Sequence, residues 1–308
     1  MRKQDLSYYR TNLEKGVHPG RSPENLTPSS FLSARKWCII NHISLWEGDC
    51  AMRILFIGDV VGRWGTAFLS QKLPALRRMW EPELTIVNGE NAAEGNGILP
   101  ATAAEIFSAG ASVITLGNHA LRRREIFDYL AQEEAIVRPA NFHPEAPGRG
   151  WYTYDKPGLP PVTVVNLCGA VYMDCAWEEP FSALDRVLPQ LPPGVVLVDF
   201  HAEATSEKFC LAWDFDGRVS AVIGTHTHIQ TADERILPGG TGYITDAGMC
   251  GAFNSSLGVK PQQAIRRLRT RLPTRFENDG GPCRMSGVLL EIDPRTLRTT
   301  AIQRVNVE

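Results

Sequence analysis

Short apolar runs alternate with helical stretches along most of this sequence, and that alternation limits strongly how the chain can fold. The predicted strands are residues 54–57, 84–87, 113–116, 162–167, 195–200, 221–223 and 242–245. The predicted helices are residues 66–80, 102–109, 123–132, 181–188 and 261–271. Such alternation is typical of βαβ units. The sequence therefore predicts an α/β protein, closed at its end by an antiparallel hairpin of residues 287–292 and 299–305.

The N-terminal part of the sequence differs from the rest. Residues 1–51 are polar, rich in turn formers and without sustained periodicity. A signal peptide is one interpretation of the apolar patch at residues 37–43, but Asn41 and His42 interrupt it and no small-residue cleavage site follows. We predict a disordered leader, or a start codon assigned too far upstream, and a single domain over residues 52–308.

Composition excludes several classes of function. A formal net charge of -2 gives no reason to expect nucleic acid or an anionic membrane as partner. No apolar run approaches the roughly 20 residues of a membrane helix. Seven cysteines without a C-x-x-C pair indicate reduced thiols rather than a disulfide framework or a zinc knuckle. We therefore predict a cytoplasmic protein.

Polar side chains follow five of the predicted strands, at the point where each strand ends. In chain order they are Asp59, Glu90, Asn91, Asn118, His119, His201, His226 and His228. Ligands of α/β sheets bind outside the carboxyl ends of the strands, so these side chains are expected to converge. Mixed oxygen and imidazole donors suit iron, manganese or zinc. Eight donors are too many for one tetrahedral ion, but they suit two ions with a bridging carboxylate and one histidine left for proton transfer.

Each of these residues also has a simpler interpretation. Asp59 could cap the following helix, Asn118 could fill a left-handed turn, and either His119 or His201 alone could be structural. Glu203 is interpreted as a local cap or ion-pair partner and is not counted as a ligand. We favour the metal site because all the simpler interpretations would have to hold together.

Other catalytic chemistries fit the sequence poorly. It has no G-x-x-x-x-G-K-[ST] phosphate loop and no G-x-S-x-G elbow, and no serine or cysteine is placed to complete a triad with Asp199 and His201. The arginine clusters at residues 122–124 and 266–271 are interpreted as solvated helix faces, with phosphate binding by Arg122 as the alternative.

The spacing of these motifs resembles that of the calcineurin-like metallophosphoesterase superfamily. Residues 88–93 (NGENAA), 201–208 (HAEATSEK) and 225–234 (THTHIQTADE) are more specifically similar to its YmdB-like branch. The resemblance extends over residues 52–305. It implies a four-layer α/β/β/α sandwich and a dinuclear phosphodiesterase whose substrates are small phosphodiesters, the 2′,3′-cyclic nucleotides.

The resemblance also implies a role for each candidate residue. Asp59, Glu90, Asn91 and His228 would hold the first metal ion, with Glu90 bridging to a second ion that Asn118, His201 and His226 also hold. A hydroxide bridging the metals would attack phosphorus in line, and His119 would protonate the departing ribose oxygen. Relatives commonly carry iron, and manganese supports activity in many of them.

One segment departs from the family pattern. The family usually continues after the Asn-His pair with Thr-Trp-Asp, whereas this chain has Ala120-Leu121-Arg122. We expect intact metal ligands. The departure leaves the substrate preference open, and a phosphate contact from Arg122 is a hypothesis.

Several alternatives remain open from the sequence. A phosphomonoesterase or nucleotidase of the same superfamily would use the same site, and a metal-loaded regulatory protein would keep the ligands with little turnover. An amidohydrolase carries its H-x-H pair on the first barrel strand, unlike this chain. Metal identity, physiological substrate and oligomeric state, a homo-oligomer included, are also open.

Overall fold

The structure, a computed structural model, describes residues 51–94 and 96–308, so the predicted leader lies outside the described residues except for Ala51. The strands are β1 (Met52–Ile57), β2 (Asp59–Val60), β3 (Leu84–Asn88), β4 (Val113–Thr115), β5 (Ile136–Val137), β6 (Trp151–Tyr154), β7 (Val162–Cys168), β8 (Val195–His201), β9 (Ala221–Thr225), β10 (Arg235–Ile236), β11 (Gly242–Ile244), β12 (Met249–Ala252), β13 (Cys283–Ile292) and β14 (Thr299–Val307). The helices are α1 (Gly62–Trp80), α2 (Pro100–Ala109), α3 (Phe127–Gln132), α4 (Pro180–Val187), α5 (Thr205–Asp214) and α6 (Pro261–Thr270), with 3₁₀ turns at Arg124–Ile126 and Leu188–Gln190.

The strands form two mixed sheets. The first has the order β2-β12-β13-β1-β3-β4-β5, with β14 also paired to β13. Its β1, β3, β4 and β5 are parallel, and β13 runs antiparallel to β1. The second sheet has the order β10-β11-β9-β8-β7-β6, with β11, β9, β8 and β7 parallel. The predicted α/β class is confirmed.

Strand β1 shows how the sheets pack. Ile54 and Phe56 face an apolar cluster that also contains Val164 and Leu197 of the second sheet. The alternate residues Leu55 and Ile57 face a different cluster, because successive strand side chains point to opposite faces. The two sheets therefore pack face to face.

Helices cover the other face of each sheet. Leu69 of α1 and Ile106 of α2 lie in the cluster on the outer face of the first sheet. Leu184 of α4 and Leu211 of α5 lie in a third cluster, on the second sheet. Each fully buried side chain of this size stabilises the fold by about 1.5–3 kcal/mol. The core strands are buried on both faces, which explains their continuous apolar runs.

Local sequence sets the limits of several helices. Proline occupies the first position of α2, α4 and α6, where its missing N–H is not needed. Gly110 ends α2 with a φ of 117°, a left-handed conformation that glycine adopts without strain.

The predicted C-terminal hairpin is present as β13 and β14, which are antiparallel. Sequence analysis missed α5 and the short strands β2, β5, β6, β10 and β12. It also joined a 3₁₀ turn and the short helix α3 into one helix. No helix within the described residues has the length and apolarity that crossing a membrane would need.

Candidate active site

The structure places all eight predicted residues at the carboxyl ends of parallel strands. Asp59 begins β2, directly after β1, and His201 is the last residue of β8. The other six follow strand ends: Glu90 and Asn91 after β3, Asn118 and His119 after β4, and His226 and His228 after β9. Contacts join all eight into one cluster, as the strand-end argument predicted.

One group of contacts surrounds His201, which is fully buried. Its Nε2 lies 3.1 Å from Glu90 Oε1 and 3.0 Å from Asn118 Oδ1. The same Nε2 lies 3.0 Å from His226 Nδ1. A carboxylate, an amide oxygen and two imidazole nitrogens thus face one another, which is the donor arrangement of a metal site.

A second group of contacts surrounds Asp59. Its Oδ1 lies 3.6 Å from His228 Nε2 and 3.4 Å from Asn91 Nδ2. Asn91 Nδ2 also lies 3.2 Å from His228 Nε2 and donates to Glu90 Oε1 at 2.9 Å. Glu90 therefore takes part in both groups, as a bridging carboxylate would.

His119 differs from the other histidines because its ring is bound on one side only. Its Nδ1 lies 2.8 Å from Asn91 Oδ1 and 3.3 Å from Glu90 Oε1, and its backbone N–H donates to Glu90 Oε2 at 3.0 Å. Its Nε2 has no hydrogen-bond partner among the described residues, and the side chain is 25% exposed. This nitrogen can reach a molecule that enters the site.

The backbone of the H-x-H segment is unusual. His226 has a φ of 100° and His228 a φ of 66°. Such conformations cost about 1–3 kcal/mol at a residue with a side chain and persist only where the surroundings enforce them. They turn both imidazoles toward the cluster within a span of three residues.

A buried ion pair holds this strained segment. Asp246 Oδ2 accepts hydrogen bonds from the Thr227 backbone N–H at 3.0 Å and from its hydroxyl at 2.8 Å. Lys208 donates to the same oxygen at 2.9 Å and to the Thr225 carbonyl at 2.7 Å. Both charged side chains are fully buried.

Gly117 lets the two halves of the site approach each other. A Cβ at this position would overlap the carboxylate of Glu90 and the ring of His201. No larger residue fits there, so the turn that carries Asn118 and His119 can lie directly against the donor cluster.

The electrostatics of the cluster suit a bound cation. Burial alone would lower the pKa of His201, but the carboxylates of Glu90 and Asp59 raise it to about 9. Burial would raise the pKa of Glu90, but His201 and His119 hold it well below its usual range. Burial, with the charge of His201, lowers the pKa of His226 to about 3. The buried carboxylates thus attract a positive charge, which is either the proton on His201 or a metal ion that displaces it, whereas His226 is neutral without metal.

The donor set fits a metal ion on geometry as well. One donor atom each from Glu90, His201 and His226 lies within 4.8 Å of the other two. Two nitrogens and a carboxylate oxygen are ligands that iron, manganese and zinc accept.

Sequence analysis missed the residues that orient these ligands. The Thr225 hydroxyl lies 2.9 Å from His201 Nδ1 and donates to Asp199 Oδ1 at 2.7 Å. Asn88 donates to the other oxygen of Asp199 at 2.9 Å. Burial raises the pKa of Asp199 to about 6. One signal was present in the sequence, since Asp199 lies two residues before His201 and therefore shares its face of β8.

The structure also decides some of the simpler interpretations. The N-cap of α1 is Val61, so Asp59 does not cap that helix. Asn118 is absent from the positive-φ residues of the described chain, so it does not fill a left-handed turn. Glu203, which we did not count as a ligand, has its Oε2 3.2 Å from His226 Nε2 and therefore lies at the edge of the cluster.

The segment that departs from the family pattern divides between core and solvent. Ala120 is fully buried, and Leu121 packs on the apolar cluster on the outer face of the first sheet. Arg122 is exposed, and its backbone N–H donates to the carbonyl of His119 at 3.0 Å. Among Ala120, Leu121 and Arg122, only the arginine side chain is exposed and can contact a ligand in solution.

Comparison with known proteins agrees with this fold. Residues 55–305 match the sequence profile of the family described as YmdB-like protein. The 2′,3′-cyclic-nucleotide 2′-phosphodiesterase of Bacillus subtilis is 44% identical over 256 residues, which cover 82% of this chain and 96% of the relative.

Solved structures show the same likeness. A structure from Thermus thermophilus, described as a hypothetical protein, has a TM-score of 0.79 and 39% identity, covering 83% of this chain and 99% of its own. A structure described as a novel phosphatase from Mycoplasma pneumoniae has a TM-score of 0.79 and 31% identity, covering 84% of this chain and 94% of its own. The Bacillus subtilis relative is named as a phosphodiesterase, and a Mycoplasma genitalium relative as a putative phosphatase/phosphodiesterase, so the predicted hydrolase class is confirmed. The chain belongs to the YmdB-like family.

Proposed function

We propose that this chain hydrolyses 2′,3′-cyclic nucleotides with two metal ions and with His119 as the proton donor. The observation that carries the proposal is that Glu90 belongs to both contact groups, the one around His201 and the one around Asp59. We call these the double contact group. The Bacillus subtilis relative, named for this reaction, supports the substrate class.

The two contact groups indicate which residues would hold the ions. Asp59, Glu90, Asn91 and His228 would hold the first ion, and Glu90, Asn118, His201 and His226 the second. We propose iron, with manganese as the alternative. Two bound ions would neutralise phosphate oxygens and would make water a stronger nucleophile near neutral pH.

The chain's own residues account for the proton transfer. The amide oxygen of Asn91 accepts from Nδ1–H of His119, which fixes the orientation of the ring. In its imidazolium form, His119 also carries a proton on Nε2, and this proton passes to the ribose oxygen as the bond from that oxygen to phosphorus breaks and a hydroxide oxygen bonds to phosphorus. A positioned general acid of this kind contributes about 10²–10⁴-fold to the rate.

Other features of the sequence prediction extend this proposal. The apolar clusters between the sheets and on their outer faces support a four-layer α/β/β/α arrangement. The single domain over residues 52–308, the cytoplasmic location, the lack of a nucleic-acid or membrane partner and a homo-oligomer stay predictions.

A phosphomonoesterase is the second candidate. The Mycoplasma pneumoniae relative is described as a phosphatase, and Arg122 presents an exposed cation beside His119 that could bind a doubly charged phosphate. A regulatory protein with little turnover is less favoured, because such a protein has no need of the free His119 Nε2.

Substrate profiling tests these candidates. The full chain, purified without chelator or affinity metal, would be assayed on 2′,3′-cyclic AMP, 3′,5′-cyclic AMP and 3′-AMP. We expect kcat/KM for 2′,3′-cyclic AMP to exceed the others by about tenfold or more. A preference for 3′-AMP would instead favour the phosphomonoesterase. Metal-loaded protein that hydrolyses none of them would contradict both candidates.

A further inference from the structure

A cleft of about 670 Å³ lies apart from the candidate metal ligands. It is bounded by the segment after β5, the start of β6 and the segment that leads into α4. The residues that give it its character are Arg138, Phe142, Arg149, Trp151, Trp177 and Arg186. Its volume falls within the range of about 300–1,000 Å³ that small-molecule sites occupy.

Arg138 is a buried cation without a counter-charge. Its side chain donates from Nη1 to the Pro139 carbonyl at 2.8 Å and from Nη2 to the Ala146 carbonyl at 3.2 Å. The residue is 6% exposed, and within residues 51–94 and 96–308 its Nε has no hydrogen-bond partner. No carboxylate of these residues forms an ion pair with it. A buried charge in this state is unfavourable unless an anion binds to it.

The other two arginines of the cleft have partners. Arg149 pairs with Glu134, and Arg186 pairs with Glu178 at 2.7 Å. Burial, with the charge of Arg186, lowers the pKa of Arg138. Arg138 therefore supplies the unbalanced positive charge of the cleft.

Aromatic side chains form the walls beside this charge. Trp177 is 69% exposed, although a large apolar ring is usually buried. The ring of His143 packs edge-on against it, with the centroids 4.5 Å apart. The backbone N–H of Trp177 donates to the carbonyl of Asn141 at 2.8 Å, which fixes the position of the segment around Trp177. An exposed, positioned indole offers a flat surface on which a planar ring can stack.

We propose that this cleft is a second binding site, separate from the metal centre, and that it takes a nucleoside monophosphate. Arg138 binds the phosphate through its guanidinium group, since guanidinium groups match phosphate oxygens in charge and geometry. Trp177 stacks on the base. Neither residue is among the candidate metal ligands, so the site does not depend on the proposed reaction.

Calorimetric titration of the metal-loaded full chain tests the proposal, with AMP, adenosine and inorganic phosphate as probes. We expect AMP to bind about tenfold more tightly than adenosine or phosphate, because only AMP engages both groups. Trp177→Ala and Arg138→Gln should each raise the Kd for AMP by about tenfold. Trp213→Ala, which removes an exposed tryptophan of α5 outside the cleft, is the matched control and should leave that Kd unchanged.

The remaining outcomes would overturn the proposal. Unchanged affinity for AMP in the cleft variants would place the nucleotide elsewhere, including at the metal centre. Phosphate that binds as tightly as AMP would indicate a plain anion site, and no binding of AMP at millimolar concentration would exclude the nucleotide. Circular dichroism checks the folding of Arg138→Gln. Trp177→Ala decides if that variant does not fold, because Trp177 is at the surface.

Discussion

Two of the three histidine-bearing segments of the site are built differently. Residues 225–228 carry His226 and His228 on a backbone with positive φ at both histidines, held by the buried pair of Asp246 and Lys208. Residues 117–122 carry His119 on an ordinary turn. Within that turn, all of which the structure describes, no residue has a positive φ.

The difference corresponds to the two tasks of the site. Metal ligands have to be held within a fraction of an ångström, and a strained segment anchored by a buried ion pair gives that rigidity. A proton donor has to meet a molecule that enters from solvent, and the turn leaves Nε2 of His119 accessible. The turn also carries Asn118, a proposed ligand, so the comparison concerns the histidines: substitutions of His226 and of His119 are expected to fail in different ways.

The largest effect is expected at the ligand segment. His226→Ala removes a nitrogen that lies 3.0 Å from His201 Nε2, so the second ion should lose a ligand and turnover should fall to background. Metal analysis of the purified variant, together with 2′,3′-cyclic AMP hydrolysis, measures both effects. Full metal content with normal turnover would show that His226 is not a ligand.

Substitution of His119 in the turn should give a catalytic defect without loss of metal. His119→Ala should lower kcat by about 10²–10⁴-fold, because the general acid is lost, while the metal content stays at the wild-type level. Metal loss in this variant would make His119 a ligand and would remove the contrast between the segments.

Removing the charge of Asp246, which holds the H-x-H segment, should lower stability and metal affinity although no metal ligand is changed. Asp246→Asn leaves Lys208 buried without its counter-charge and should lower the free energy of unfolding by about 3–5 kcal/mol. Metal affinity should fall by about 10–100-fold, as with other residues that orient ligands. Denaturant unfolding and metal titration measure these quantities.

Glu277→Gln is the matched control for that experiment. It removes the carboxylate of an exposed ion pair with Lys260, and exposed pairs contribute little to stability. Its unfolding curve and metal affinity should match those of the wild type. Equal effects in the two variants would show that burial of the Asp246 pair does not matter.

The smallest effect is expected at the outer end of the turn. Arg122→Ala should raise KM for 2′,3′-cyclic AMP by a few fold with kcat unchanged, because an exposed arginine adds a screened phosphate contact. Arg124→Ala, also exposed in the same arginine cluster, is the control. An unchanged KM in Arg122→Ala would exclude the contact.

The strand ends carried most of what the sequence could predict. Asp59, Glu90 and His201 were found because parallel strands deliver their last residues to one edge of a sheet. Their supports were not found, since Lys208 and Asp246 lie 38 positions apart and meet only after folding. Thr225 and Asp199 likewise lie 26 positions apart, although the position of Asp199, two residues before His201, was a signal in the sequence.

The same limit applies outside the site. In the sequence, nothing distinguishes Arg138 from an ordinary surface arginine, because its burial and its lack of a counter-charge are properties of the fold. Helix α5 (Thr205–Asp214) was also missed, although it begins only a few residues after the candidate ligand His201. Its sequence has polar residues in the first turn and was interpreted through its motif instead.

The number of metal ions per chain is the most direct test of the proposed mechanism. It would be measured by elemental analysis on full-length protein that was purified without chelator or affinity metal and that hydrolyses 2′,3′-cyclic AMP. The double contact group around Glu90 predicts two ions per active chain. One ion or none in fully active protein would contradict the dinuclear mechanism.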